Sequence, residues 1–221
     1  MIERIPGKGK NTVSAGKTQK TDRKGMLILI SGPSGTGKGT LCERLVAQDK
    51  GIVFSVSATT RARRECEQEG VHYHFISEAE FDKLLKDNEL LEHATVHEHR
   101  YGTPRLPVEA ALEKGLDVLL DVDSQGAMNV MKQIKNCVSV FILPPSFTSL
   151  KQRLHTRNTD DETEIKKRLD NARAEIARYV HYDYALINDE LDMAFNRLCC
   201  IIQAERMRTL RYHPNIPEKN C

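Results

Sequence analysis

No apolar run in this 221-residue chain approaches the roughly 18 residues that a membrane-spanning helix needs. The longest, Met26 to Ile30 and Val138 to Pro145, are strand-sized. An excess of one charge is missing too. Lys and Arg number 33 against 31 Asp and Glu, a net of +2. A duplex-DNA binder usually carries a stronger basic surplus, so no specific nucleic-acid partner is expected. The six cysteines (Cys42, Cys66, Cys137, Cys199, Cys200 and Cys221) form no C-x-x-C pair, and Met1 opens no apolar signal segment. They are expected as free thiols in a reducing compartment, the cytoplasm, with no membrane partner. Internal repeats are lacking as well. What remains is 39% apolar and 29% charged residues, enough for a real core in one domain of ordinary size with small inserted modules.

The chain is uneven along its length. Residues 1–24 hold Arg4, Lys8, Lys10, Lys17, Lys20, Arg23 and Lys24 against Glu3 and Asp22. Apolar residues there are sparse and no aromatics are interleaved, so a disordered basic tail is expected. From Met26 the pattern becomes strand, glycine turn, helix. Further strands are expected over Val53–Ser57, Leu116–Asp121, Val138–Leu143 and Tyr184–Ile187. Helical spacing links Leu41, Leu45 and Val46, then Ala127, Val130, Met131 and Ile134, then Leu191, Ala194, Phe195 and Leu198. Strands alternating with helices predict an α/β fold: a parallel sheet with crossover helices in three layers.

Two stretches break that rhythm. Residues 57–103 are polar, with short alternating runs, and Ser77 with Glu80 forms an S-x-x-E capping box before Phe81, Leu84 and Leu85. They read as an inserted mixed α/β module. Residues 153–171 read as a small helical lid, with a second box at Thr159 and Glu162. The core is then 25–56, 104–152 and 172–209, and residues 210–221 are a tail. His72, His74, His93, His97 and His99 crowd into the module, but no third ligand has metal-like spacing. They are expected as exposed strand histidines.

The strongest chemical signal is Gly32-Pro33-Ser34-Gly35-Thr36-Gly37-Lys38-Gly39-Thr40, between a strand and a helix. Glycines let successive backbone N–H groups turn inward as an anion nest, and the helix that follows adds its free amides and dipole. Lys38 sets a cation against the β- and γ-phosphates of a nucleotide. The hydroxyl residue usual after this lysine, which binds Mg²⁺ in many such loops, is Gly39, and Thr40 stands one step later. Mg²⁺ is then expected to rest mainly on nucleotide oxygens and water, with Asp121 as a candidate carboxylate.

Ser57-Ala58-Thr59-Thr60-Arg61-Ala62-Arg63-Arg64 packs three arginines into four positions without an apolar face. Alone this reads as a solvated basic loop. Together with Tyr73 and Tyr101 it reads as a phosphate clamp, because guanidinium forks match phosphate oxygens bidentately. Glu92, near Leu90 and Leu91, and Thr103 supply a carboxylate and a hydroxyl able to read a base edge. Guanine presents N1–H and N2–H₂ side by side, which one carboxylate accepts together. Adenine would set lone pair against lone pair. Asp121 and Asp123 follow a strand, where α/β sheets bind ligands. A helix cap is the plainer role for either, and Ser124 competes for it.

In order, S-G-P-S-G-T-G-K-G-T, S-V-S-A-T-T-R-A-R-R, E-x-x-G-V-H-Y-H-F, Y-G-T-P and L-D-V-D-S-Q-G resemble the guanylate kinase family over about residues 26–205. The resemblance implies ATP-dependent phosphorylation of GMP, and by extension dGMP, to GDP in purine nucleotide metabolism, on a P-loop core with two mobile modules. It implies Arg61, Arg64, Tyr73 and Tyr101 as the GMP-phosphate clamp. Ser57, Glu92, Thr103 and Asp123 become the guanine readers, and Lys38, Arg157 and Arg168 the phosphoryl-transfer cations. Two positions depart from the common pattern: Ala58, where serine is frequent, and Ser124, where a larger apolar residue is frequent. The protein is expected as a monomer or small homo-oligomer. Two other readings stand beside this one. A catalytically dead binding module would lose the loop lysine or lid cations, and all are present. A P-loop kinase for another small acceptor is weighed against by Arg61, Arg64, Tyr73, Glu92 and Tyr101 together.

Overall fold

Alternation along the first strand sets the layers. In the computed structural model, which describes residues 23–96, 98–156 and 162–213, β1 spans Leu27–Ser31 and is buried throughout. Ile28 and Ile30 face one side and Leu27 and Leu29 the other, as the two-residue period of a strand dictates. On the first side they join Leu41 and Leu45 of α1 (Lys38–Gln48) and Phe195, Leu198 and Ile202 of α7 (Leu191–Arg206). On the second side they join Val108 of α3 (Arg105–Glu113) and Val130 of α4 (Ser124–Gln133). Helices on both faces of one sheet make the expected three layers.

The main sheet is wholly parallel, ordered β2-β7-β1-β8-β9, with β2 Ile52–Phe54, β7 Asp117–Asp121, β8 Val138–Leu143 and β9 Tyr184–Ile187. The connections after β1 and β7 run opposite ways along the sheet, to β2 and to β8, so the loops after β1 and β7 open side by side at the sheet's C-terminal edge, where α/β folds place ligands. The opposite edge is tied by charge. Asp117, fully buried, accepts from the Met26 amide, from Arg23 Nη1 at 2.7 Å and from Arg206 Nε at 2.7 Å, and Arg206 also pairs with Asp49.

A second sheet, ordered β4-β3-β6-β5, comprises β3 Ala58–Thr59, β4 His74–Phe75, β5 Leu90–Val96 and β6 His99–Pro104. Its helix α2 (Glu78–Lys86) opens with both halves of the Ser77–Glu80 capping box. The expected strand over Val53–Ser57 is shorter than its sequence suggests, beginning at Ile52 and ending at Phe54. After Phe54 the chain leaves the main sheet, and pairing resumes at Ala58 in the second. Helices α5 (Phe147–Thr156) and α6 (Glu162–Ile176) share a small core of Leu150, Leu154, Ile165 and Ala172. They run across both expected lid limits, because this core joins the two helices to each other along their length. Thr159, Arg157, His97 and most of both tails lie outside the described residues. Five cysteines are free thiols among those described. No described helix is long and apolar enough to cross a membrane.

Candidate active site

The turn after β1 is held by its own backbone and by two distant elements. Gly32 has φ +140, and a Cβ there would meet the Ile142 carbonyl at 2.3 Å. Gly37, at φ +87, precedes the first turn of α1 without a side-chain cap, which leaves that turn's amides to a ligand. Thr36 Oγ1 donates to the Pro33 carbonyl at 2.9 Å. Lys38 lays its ammonium over the loop, 2.6 Å from Gly32 O and 3.2 Å from Pro33 O. Asn188, just after β9, donates to Thr36 O at 2.7 Å, and Arg153 donates to Asn188 O at 2.9 Å. Neither link has a local sequence signal, since the partners are far apart in the chain.

Asp121 ends β7 beside this loop. Solvent reaches it, yet protein surrounds it on most sides. That enclosure pushes its carboxyl up, and the Lys38 ammonium draws it down. No described residue hydrogen-bonds it. Asp123 caps α4, accepting from Gly126 N at 2.6 Å. The plainer capping role therefore holds for one of its oxygens. Ser124 does not compete for the cap: its Oγ takes Arg178 Nη1 at 2.8 Å instead.

Across the cleft, the second sheet gathers the arginine loop and the tyrosines. Arg61 lies over the Tyr73 ring at 5.6 Å, and Tyr73 meets Tyr101 edge to face at 5.8 Å. A residue outside the expected set organises this group. Glu67 accepts both forks of Arg61, at 3.0 and 2.7 Å, and the Arg64 amide at 2.8 Å. The Arg61 pairing holds the Glu67 carboxyl down at about 2. Its signal in the sequence is faint, one acid among three in Glu65–Glu69. Arg64 itself is exposed.

Glu92 is buried in the same sheet. It is 6% exposed on β5, and Thr103 on β6 donates to its Oε1 at 2.7 Å. Ser57 Oγ lies 3.5 Å from Thr103 Oγ1, so the three form a short polar line. Burial pushes the Glu92 carboxyl up to about 7; Thr103 pulls it down and Asp123 adds to the rise. Arg168 is half-buried on α6.

A buried carboxylate with a hydroxyl donor beside arginines and tyrosines, opposite a lysine-bearing phosphate loop, is the arrangement of a nucleotide kinase. The family model described as guanylate kinase matches residues 24–205. This chain belongs to the guanylate kinase family.

Its relatives agree over most of their length. The guanylate kinase of Agrobacterium fabrum is 50% identical over 192 residues, covering 86% of this chain and 87% of the relative. That of Rhizobium etli is also 50% identical over 192 residues, with the same coverage. The crystal structure of guanylate kinase from Anaplasma phagocytophilum superposes with a TM-score of 0.71 at 35% identity, covering 87% of this chain and 92% of that one.

Proposed function

We infer that this guanylate kinase family member transfers the γ-phosphoryl group of ATP to GMP, giving ADP and GDP, with dGMP as a second acceptor. The observation that carries the acceptor's identity is buried Glu92 with its Thr103 donor. A carboxylate there accepts N1–H and N2–H₂ of guanine, with Thr103 holding it by its one hydroxyl proton, while Ser57 is left to donate to O6 and Asp123 turns its second oxygen toward the amino group. Arg61, Arg64, Tyr73 and Tyr101 hold the GMP phosphate. Glu67 holds the planar Arg61 fork in one orientation.

The loop from Gly32 to Thr40 takes the ATP phosphates on its amides, and Lys38 leaves the loop carbonyls to meet β- and γ-oxygens. Mg²⁺ fits the site: Asp121 offers a carboxylate with no hydrogen-bond partner among the described residues, though Gly39 offers no oxygen. Asp121 would hold the ion through water, and the ion would neutralise charge on the β- and γ-phosphates. An oxygen of the GMP phosphate, already anionic near neutral pH, attacks the γ-phosphorus in line. The bond to the β–γ bridging oxygen breaks, and ADP leaves with that electron pair. No general base is needed. Catalysis is positioning and charge stabilisation by Lys38 with Arg157 and Arg168. The lid of residues 153–171 closes over the module of 57–103 and excludes water. Free thiols support a cytoplasmic setting.

The test is a coupled assay of ADP formation with GMP, AMP, CMP and UMP offered separately, run on the wild type and on Lys38→Ala. GMP alone should support rapid turnover, and Lys38→Ala should lose at least about 10³-fold in kcat. Its melting temperature should shift by only a few degrees. Equal use of AMP would overturn the guanine reading. Near-normal turnover of Lys38→Ala would overturn the mechanism.

A further inference from the structure

Glu92 Oε1 is held by Thr103, but its second oxygen is placed by a space. Gly126 lies in the first turn of α4, its amide donating to the cap Asp123. A Cβ on Gly126 would stand 2.8 Å from Glu92 Oε2, 3.5 Å from its carboxyl carbon and 3.4 Å from Asp123 Oδ1. Real Cβ atoms essentially never come within 3.0 Å of a heavy atom of a residue remote in the chain. Any side chain at 126 therefore contends with the Glu92 carboxylate. No left-handed conformation demands glycine there. Helix physics argues against it, since glycine costs roughly 0.5–1 kcal/mol relative to alanine inside a helix. The position gives up helix stability and gains room for one carboxylate oxygen.

We propose that Gly126 is a specificity-determining positioning residue: its missing side chain is the gap that lets the Glu92 carboxylate lie flat against α4 and face guanine. This rests on the reading of Glu92 as the guanine acceptor. The contact is with the far end of a flexible side chain, so an added methyl is relieved by turning the Glu92 carboxylate rather than by moving the backbone. The fold survives that relief, and the alignment of the two oxygens with N1–H and N2–H₂ does not. Oε1 keeps its Thr103 bond, so the displacement falls on Oε2, the oxygen against α4.

The test compares wild type with Gly126→Ala, using GMP and IMP as acceptors. IMP keeps N1–H and O6 and lacks the 2-amino group, so it asks less of the carboxylate. Gly126→Ala should raise KM for GMP about tenfold, the scale of one impaired hydrogen bond to a charged group, and leave KM for ATP within about twofold. KM for IMP should rise less, so the preference for GMP over IMP falls. The melting temperature should be unchanged or higher. Three results would overturn the proposal: an unchanged KM for GMP, equal losses for GMP and IMP, or a clear drop in melting temperature, which would mean that the backbone yields instead. If wild type itself fails to prefer GMP over AMP, the reading of Glu92 fails rather than the role of Gly126.

Discussion

Glu92 sits in a conflict between burial and charge, and pH exposes it. Burial raises its carboxyl to about 7, so in the free protein it takes up a proton where an unfolded glutamate would not. An acid whose folded pKa is raised makes the native state bind more protons between the unfolded value and about 7. Stability therefore falls as pH rises through that window, and the penalty is complete above it. Binding runs the other way. Guanine's donors need the ionised form, so KM for GMP should climb as pH falls below about 7. The GMP phosphate titrates nearby, so Glu92→Gln is the control. It should bind GMP weakly and lose the guanine part of the pH dependence. It should also melt higher than wild type at pH 8 and no higher at pH 5. A wild-type profile unchanged by Glu92→Gln would reject the assignment. Glu92, Thr103, Tyr73 and Tyr101 could be singled out from the sequence one by one, because each residue type carries its chemistry on its face. Glu67 could not, because a glutamate in an exposed-looking loop has no meaning until its arginine partner is placed.

At the level of the element, the loop and α1 form the proposed ATP-phosphate site, in which Gly39 stands where a hydroxyl is usual. A Cβ on Gly39 would meet nothing within 4 Å, in the first turn of α1, and Gly39 is exposed. Nothing steric requires glycine there. Gly39→Ser should therefore fold with stability unchanged or slightly raised, as helix propensity favours serine over glycine by a few tenths of a kcal/mol. It should also lower the Mg²⁺ concentration needed for half-maximal turnover, and calorimetry should show tighter Mg²⁺–ADP binding. A Mg²⁺ dependence identical to wild type would mean that the hydroxyl cannot reach the ion from α1. The capping box of α2 and the spacing of α4 and α7 were readable because they are local. The end of the Val53–Ser57 strand at Phe54 was not. Its residues all look like strand, and only pairing partners distant in the chain decide where the strand stops.

Across the whole molecule, the proposed site lies at one edge of the sheet and a buried ion network locks the opposite edge. Asp117 is fully buried, with two arginines and a backbone amide on its oxygens. Removing one partner of such a group strands the remaining charges without compensation. Asp117→Ala should cost about 3–5 kcal/mol in urea unfolding. KM for GMP and ATP should stay near wild type in the fraction that remains folded, because the network lies at the far end of β7 from Asp121. A loss below about 1 kcal/mol would show that the network contributes no more than an exposed ion pair does.

Local chemistry determined much of this protein from sequence alone. A glycine-rich turn between strand and helix with a lysine at its end marks a candidate phosphate loop, an S-x-x-E box starts a helix, and alternating strands and helices make a parallel sheet. Tertiary structure alone decided what depends on distance through space: that Glu67 holds Arg61, that Asn188 braces the phosphate loop, and that Gly126 leaves room for Glu92. In each case the deciding quantity is a gap or contact of a few ångströms between residues tens of positions apart, or between groups whose orientation only packing sets. Spacing along a chain does not encode that.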